Sequence, residues 1–150
     1  MNSGSDLVME LIDALETLRK SHWKPDVGLP VTPSEMSLLM ALYRCGGPTG
    51  LQPSELGEVL KIARPTVTAL VNSLEAKGLV TRRQGEEDRR VVLVELTAAG
   101  LDHVKMGRRL FEEHMSQLVD FLGADDAQAL IRLIHRVQQF NEMRKRECGN

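Results

Sequence analysis

Four arginines and three carboxylates crowd into the nine residues Arg82-Arg83-Gln84-Gly85-Glu86-Glu87-Asp88-Arg89-Arg90. Guanidinium groups are permanently charged forks of donors that match phosphate oxygens and base-edge acceptors. Two pairs of them bracketing an acidic turn, with a β-branched alternating run behind, mark the tip of a β-hairpin. A hairpin tip cannot bury a core, so these cations serve recognition of a polyanion. A tip arginine can enter a narrow minor groove, where the potential of a duplex is most negative. Asp88 looks contrary beside such a polymer, yet a carboxylate two residues before Arg90 can aim its guanidinium by a bidentate pair. The competing reading of the same run is a solvated charged turn.

A second constellation lies upstream. Ala63-Arg64-Pro65-Thr66-Val67-Thr68 offers one guanidinium and two hydroxyls at a helix start, within reach of bases or phosphates. Backbone N–H groups at that start can also hold a phosphate. The competing reading makes Thr66 and Thr68 solvated helix residues.

The elements that position these groups follow from periodicity and punctuation. Leu7, Leu11, Leu15 and Leu18 recur at helical spacing, so the first twenty residues read as an amphipathic helix. Residues 22–30 break it with two prolines and a glycine. Thr32, Pro33 and Glu35 form a helix start with a capping box, and the second helix carries Met36, Leu39, Met40 and Tyr43 on one face as far as Gly46-Gly47-Pro48. Pro53 opens a short third helix. Pro65 opens a fourth, with Val67, Leu70, Val71 and Leu74 inward and Gly78 as its stop. Strands are expected over Leu79–Arg83 and Val91–Leu96. Thr97 caps a fifth helix to about Leu122, and Gly123 separates it from a sixth. The fold class is therefore mainly α with a small β-hairpin wing: a winged helix-turn-helix over 32–97, flanked by terminal helices at 1–31 and 98–150.

Composition narrows the function classes. The chain has 150 residues and a net charge of −2, so positive charge for an anionic partner must be local. One Trp, one Tyr and three Phe leave the core to aliphatic residues and Met. Two cysteines, no signal-like start and no run of 18 apolar residues predict a cytoplasmic protein. Neither a Ser/His/Asp order nor a glycine-rich phosphate loop after a strand is present, so an enzyme is not expected and no cofactor is implied.

The run GLQPSELGEVL…ARPTVTALVNSLEAKGLVTRR…EEDRRVVLVELTAAG resembles the winged-helix core of the MarR family of transcription regulators. Asp88-Arg89-Arg90 followed by a strand ending in Leu96-Thr97 matches its wing pattern. Leu74, Glu75, Gly78, Leu79, Val80 and Arg82 match a second pattern, and the two together cover about Gly50 to Gly100. The resemblance implies a DNA-binding regulator, most commonly a repressor. Arg90 would be its minor-groove arginine and Asp88 the orienting partner, with Arg82, Arg83 and Arg89 on the same wing. Arg64, Pro65, Thr66, Thr68, Ala69 and Asn72 would form the major-groove surface. Many members carry a polar or basic residue where this chain has Ala69.

The resemblance also implies a two-fold dimer built from terminal helices. The chain supports this independently, because the first helix and the sixth, with Leu130, Leu133, Ile134, Val137 and Asn141, each carry a mostly apolar stripe, and a winged domain of about 65 residues is too small to cover both. Leu7, Leu11, Leu15, Ile134, Val137 and Asn141 are the expected contacts, on a homodimer that reads a pseudo-palindrome. Many such regulators release DNA when a phenolic or otherwise lipophilic ligand binds, and His22, Trp23, Met36, Met40 and Tyr43 are candidates to line that pocket. Cys45 reads as a small buried hydrophobe and Cys148 as a tail residue. The peroxide-sensing branch carries its cysteine in the first helix, where this chain has none, so redox sensing is a lesser alternative. His22, His103, His114 and His135 are too widely spaced to seed a metal site. The rival from another class is a winged-helix protein-interaction module without DNA binding, indifferent to loss of Arg90.

Overall fold

The computed structural model describes residues 4–21 and 29–148, with side chains through residue 146. Six α-helices and one antiparallel hairpin are seen among them: α1 (Gly4–Lys20), α2 (Pro33–Ala41), α3 (Pro53–Leu60), α4 (Arg64–Ala76), β1 (Val80–Gln84), β2 (Val92–Leu96), α5 (Ala98–Leu122) and α6 (Ala124–Cys148). The chain divides into two compact units, residues 1–110 and 111–150.

Unit one holds the core. Leu38, Leu39 and Leu42 from the second helical stretch meet Leu56, Val67, Val71, Leu74, Val80, Val94 and Val104. This corrects the expected face of α2. Met36 and Met40 are only half-buried and Tyr43 is exposed, whereas the Leu38-Leu39-Leu42 side faces inward. The helix also ends in a π-helical turn, Leu42–Gly46, which rotates its last residues relative to simple helical spacing. Cys45 sits on that turn and is exposed, not a buried hydrophobe.

Capping explains the starts. Thr32 Oγ1 accepts the Glu35 N–H at 3.2 Å, while a Glu35 carboxylate oxygen accepts the Thr32 N–H at 2.7 Å. Lys61 closes α3 in the left-handed region (φ 54°), and Ile62 N–H then returns to the Gly57 carbonyl at 3.1 Å. Residues 61–63 are thus the turn between α3 and α4, a helix-turn-helix. Thr97 does two jobs: its hydroxyl donates to Gly78 O at 2.7 Å and accepts the Gly100 N–H at 3.0 Å, tying the end of α4 to the start of α5.

The hairpin pairs Val80 with Leu96 and Gln84 with Val92. Leu51 adds an isolated antiparallel bridge to Val94, with both backbone bonds formed at 3.0 and 2.8 Å. Gly50 makes that approach possible, since its φ is +75° and a Cβ would collide with the Val94 carbonyl.

Outside this core, α1 has no buried residue, and Leu7, Leu11 and Leu15 are each more than half exposed. In unit two Ile131, Ile134, Val137 and Phe140 of α6 are likewise exposed. No helix among the described residues is long and apolar enough to cross a membrane.

Candidate nucleic-acid interface

The wing is built from a short, tightly closed loop. Gly85 N–H donates to Val91 O at 2.8 Å and Val91 N–H to Asp88 O at 3.1 Å. Gly85 has to be glycine, because a Cβ would lie 2.8 Å from the Asp88 carbonyl oxygen. Within the loop, Asp88 Oδ1 accepts the Arg90 backbone N–H at 2.9 Å and its Nε at 3.2 Å. The expected bidentate pair is therefore not what forms. One oxygen holds both donors, a geometry set by the two-residue spacing, which brings the backbone N–H into range before the far guanidinium nitrogens. Arg90 is aimed nonetheless, and its side chain is 92 % exposed. Arg89 is exposed beside it.

The other two wing arginines are used inward. Arg83 Nε pairs with Glu95 across the hairpin, and its Nη2 reaches the Thr49 carbonyl at 3.2 Å. Arg82 pairs with Glu75 of α4 and donates Nη2 to Asn72 Oδ1 at 2.6 Å. Both stand at the base of the wing and fasten it to its neighbours.

Helix α4 buries Val67, Val71 and Leu74 and half-buries Leu70. Its start exposes Arg64, Pro65, Thr66, Thr68 and Ala69, and Asn72 is exposed one turn further on. Thr68 Oγ1 donates to Arg64 O at 3.1 Å, so its hydroxyl keeps acceptor capacity for a partner.

Sequence reasoning missed the group that sets the other flank of α4. Glu35 is 3 % exposed, and beyond its capping role its carboxylate takes Ser73 Oγ at 2.6 Å and Lys77 Nζ at 2.9 and 2.7 Å. Burial pushes its pKa up, but hydrogen bonds from Lys77, Ser73 and the Thr32 N–H, with the charge of Lys77, bring it from 4.5 down to about 2. The capping-box signal was legible and concealed this second role, because the partners lie 38 and 42 residues away. Helix α4 is thus held on one flank by Glu35 and on the other by Arg82.

Of the candidate effector residues, Met36, Met40 and Tyr43 lie among the described residues, and of these three Tyr43 borders a cleft. Met36 lies against Gly107, where a Cβ would meet its methyl at 2.8 Å, and Met40 packs on the core. Tyr43 borders a cleft of about 380 Å³ with Leu42, Pro48, Leu96, Thr97 and Leu101, and the Arg108 guanidinium stands 5.6 Å from its ring centre. His22 and Trp23 lie outside the described residues, as does the side chain of Cys148. Among the described residues no group of three His, Cys, Asp or Glu could hold a metal ion.

Comparison with known proteins agrees with this architecture. Residues 29–91 match the family model described as MarR family. The chain is 30% identical over 131 residues to an uncharacterised HTH-type transcriptional regulator, YfiV, of Bacillus subtilis, covering 85% of this chain and 76% of that protein. It is 29% identical over 145 residues to the multiple antibiotic resistance protein MarR of Escherichia coli, covering 91% and 99%. For three other curated relatives the match spans only 64%, 52% and 60% of their length. A mutant MarR from E. coli solved in complex with operator DNA superposes with a TM-score of 0.69 at 23% identity, covering 91% of this chain and 99% of that one.

Proposed function

The chain belongs to the MarR family of winged helix-turn-helix regulators, and from that premise we propose that it binds a pseudo-palindromic DNA operator as a homodimer and represses transcription there. The observation that carries this reading is the wing tip. Arg90 is almost fully exposed and is held by Asp88 through both its backbone and its side chain. The bond to the backbone N–H is an ordinary Asx turn, but the second bond, to Nε, orients the side chain, and an arginine entering a narrow groove loses less conformational entropy if it is already oriented. The E. coli MarR mutant, a chain of the same fold, was solved in complex with operator DNA, which supports duplex DNA as the partner.

Residues 32–97 would be the DNA-binding lobe. Arg64, Thr66 and Thr68 would enter the major groove, with phosphates held by the α4 start and by Arg89. Repression follows from occupancy, since a dimer across two half-sites one helical turn apart excludes other proteins from that DNA. Release by a small lipophilic or phenolic effector is supported by the cleft beside Tyr43, with apolar walls from Leu42, Leu96 and Leu101.

The test is selection of bound sequences from a random duplex pool, with wild type and Arg90→Ala side by side. An enriched pseudo-palindrome, bound far more weakly by Arg90→Ala, is expected. The slope of log affinity against log salt should fall by roughly 1.8 in the variant, about 0.9 for each of the dimer's two wings. Enrichment by neither protein would overturn the DNA-binding reading in favour of a protein-interaction module.

A further inference from the structure

The outward side of α4 is poor in hydrogen-bonding groups. Opposite the buried Val67-Val71-Leu74 stripe stand Pro65, Ala69, Asn72 and Ala76, all exposed and spaced as one helical face. Three of the four have no polar side-chain atom. Asn72 is therefore the residue in the middle of that face able to hydrogen-bond a base edge.

Its amide is not free to turn. Arg82 reaches across from β1, bonded at one nitrogen to Glu75 and at the other, at 2.6 Å, to the Asn72 amide. A guanidinium has donors only, so the atom facing it has to be Oδ1, and the usual ambiguity between amide oxygen and nitrogen does not arise. The NH₂ group is left as the end that Asn72 offers. Asparagine ordinarily reads adenine by accepting from N6 and donating to N7. In this chain the amino group of adenine would have to share an oxygen that already accepts from Arg82, so adenine keeps only its N7 as an acceptor, whereas guanine offers both N7 and O6.

We propose that Asn72, clamped by Arg82 against Glu75, is a one-sided donor that selects a keto base, guanine O6 or thymine O4, and disfavours the amino-bearing edges of adenine and cytosine at its position in the half-site. Arg82 is the positioning residue, and its side chain sets what Asn72 can read. The inference rests on the DNA-binding reading above and specifies the chemistry of one operator position.

The test compares the pools selected by wild type, Asn72→Ala and Arg82→Met, followed by competition with duplexes altered only at the position that Asn72→Ala changes. In the wild-type pool that position should hold guanine or thymine, with adenine or cytosine there lowering affinity about ten-fold. Asn72→Ala should flatten that position and leave the rest of the palindrome intact. Arg82→Met should admit adenine there, because the amide can then present both ends. A merely structural Asn72 would change affinity for all sequences equally and no base preference. An Asn72→Ala profile identical to wild type, or a wild-type preference for adenine or cytosine, would overturn the proposal. An unchanged keto preference in a folded Arg82→Met would overturn the part assigned to Arg82. No enrichment by wild type would instead remove the DNA-binding reading itself, and this inference with it.

Discussion

Glu35 illustrates how one side chain can serve a cap, a helix packing and a charge pair together. Its carboxylate is buried and bonded to the Thr32 cap of α2, to Ser73 of α4 and to the Lys77 cap that ends α4, so its ionisation is linked to folding. A folded pKa of about 2 against an ordinary 4.5 corresponds to about 3 kcal/mol of stability. That contribution is complete above the unfolded value and is lost as pH falls from 4.5 towards 2. Glu35→Gln removes the linkage, since its amide has no charge to lose. The variant should be less stable than wild type by about 3 kcal/mol at pH 7 and by only about 1 kcal/mol at pH 3. Urea unfolding at the two pH values measures this, and a gap that does not narrow would show that Glu35 is not the linked group. The same carboxylate leaves Lys77 and Ser73 fixed along one flank of the α4 helix that faces DNA in the proposed complex.

At the scale of elements, close backbone approaches decide how α5 meets the wing. Gly100 lies in the first turn of α5 with the Leu79 carbonyl where its Cβ would be, and Leu96 beside it. Gly100→Ala should force that turn away from the strand and disturb the Thr97 cap at the same point. A loss of about 1–3 kcal/mol follows, or several degrees in melting temperature for a chain of this size. Gly4→Ala, where a Cβ meets nothing, should melt as wild type does. Equal melting of both variants would overturn this account of the junction. The elements themselves were legible: four of the six helix starts carry a local mark, Thr32-Pro33, Pro53, Pro65 and Thr97, and the hairpin declares itself through alternation around a charged turn. What was not legible is what distant residues do to a local pattern. The Leu51 bridge to Val94 and the Arg83 bond to the Thr49 carbonyl join residues far apart in the chain, and the inward use of Arg82 depends on side chains of α4. Of the candidate site, the Asp88–Arg90 device could be read because both partners lie within one loop. The division of the four arginines into two at the tip and two at the base could not.

For the whole molecule, the question is what lies against the helices that the core leaves bare. The small lobe is already filled by its aliphatic residues, and α1 buries nothing while α6 exposes Ile134, Val137 and Phe140. Large apolar side chains in such continuous rows are costly in water and mark an interaction surface. In the proposed homodimer a second copy of the chain covers them, and two-fold symmetry would set two wings and two α4 helices against one duplex. It also explains a net charge of −2 per chain in a DNA-binding protein. Paired tips concentrate positive charge where the grooves are, while an acidic remainder limits binding elsewhere. Sedimentation at micromolar concentration should therefore give twice 16.7 kDa for the wild type. Ile134→Glu with Val137→Glu places two carboxylates in the α6 row of each chain and should yield a folded 16.7 kDa monomer that has lost most operator affinity, because a single half-site remains. Full operator affinity in that monomer would detach DNA binding from dimerisation, and a wild-type mass of 16.7 kDa would end the two-fold reading altogether.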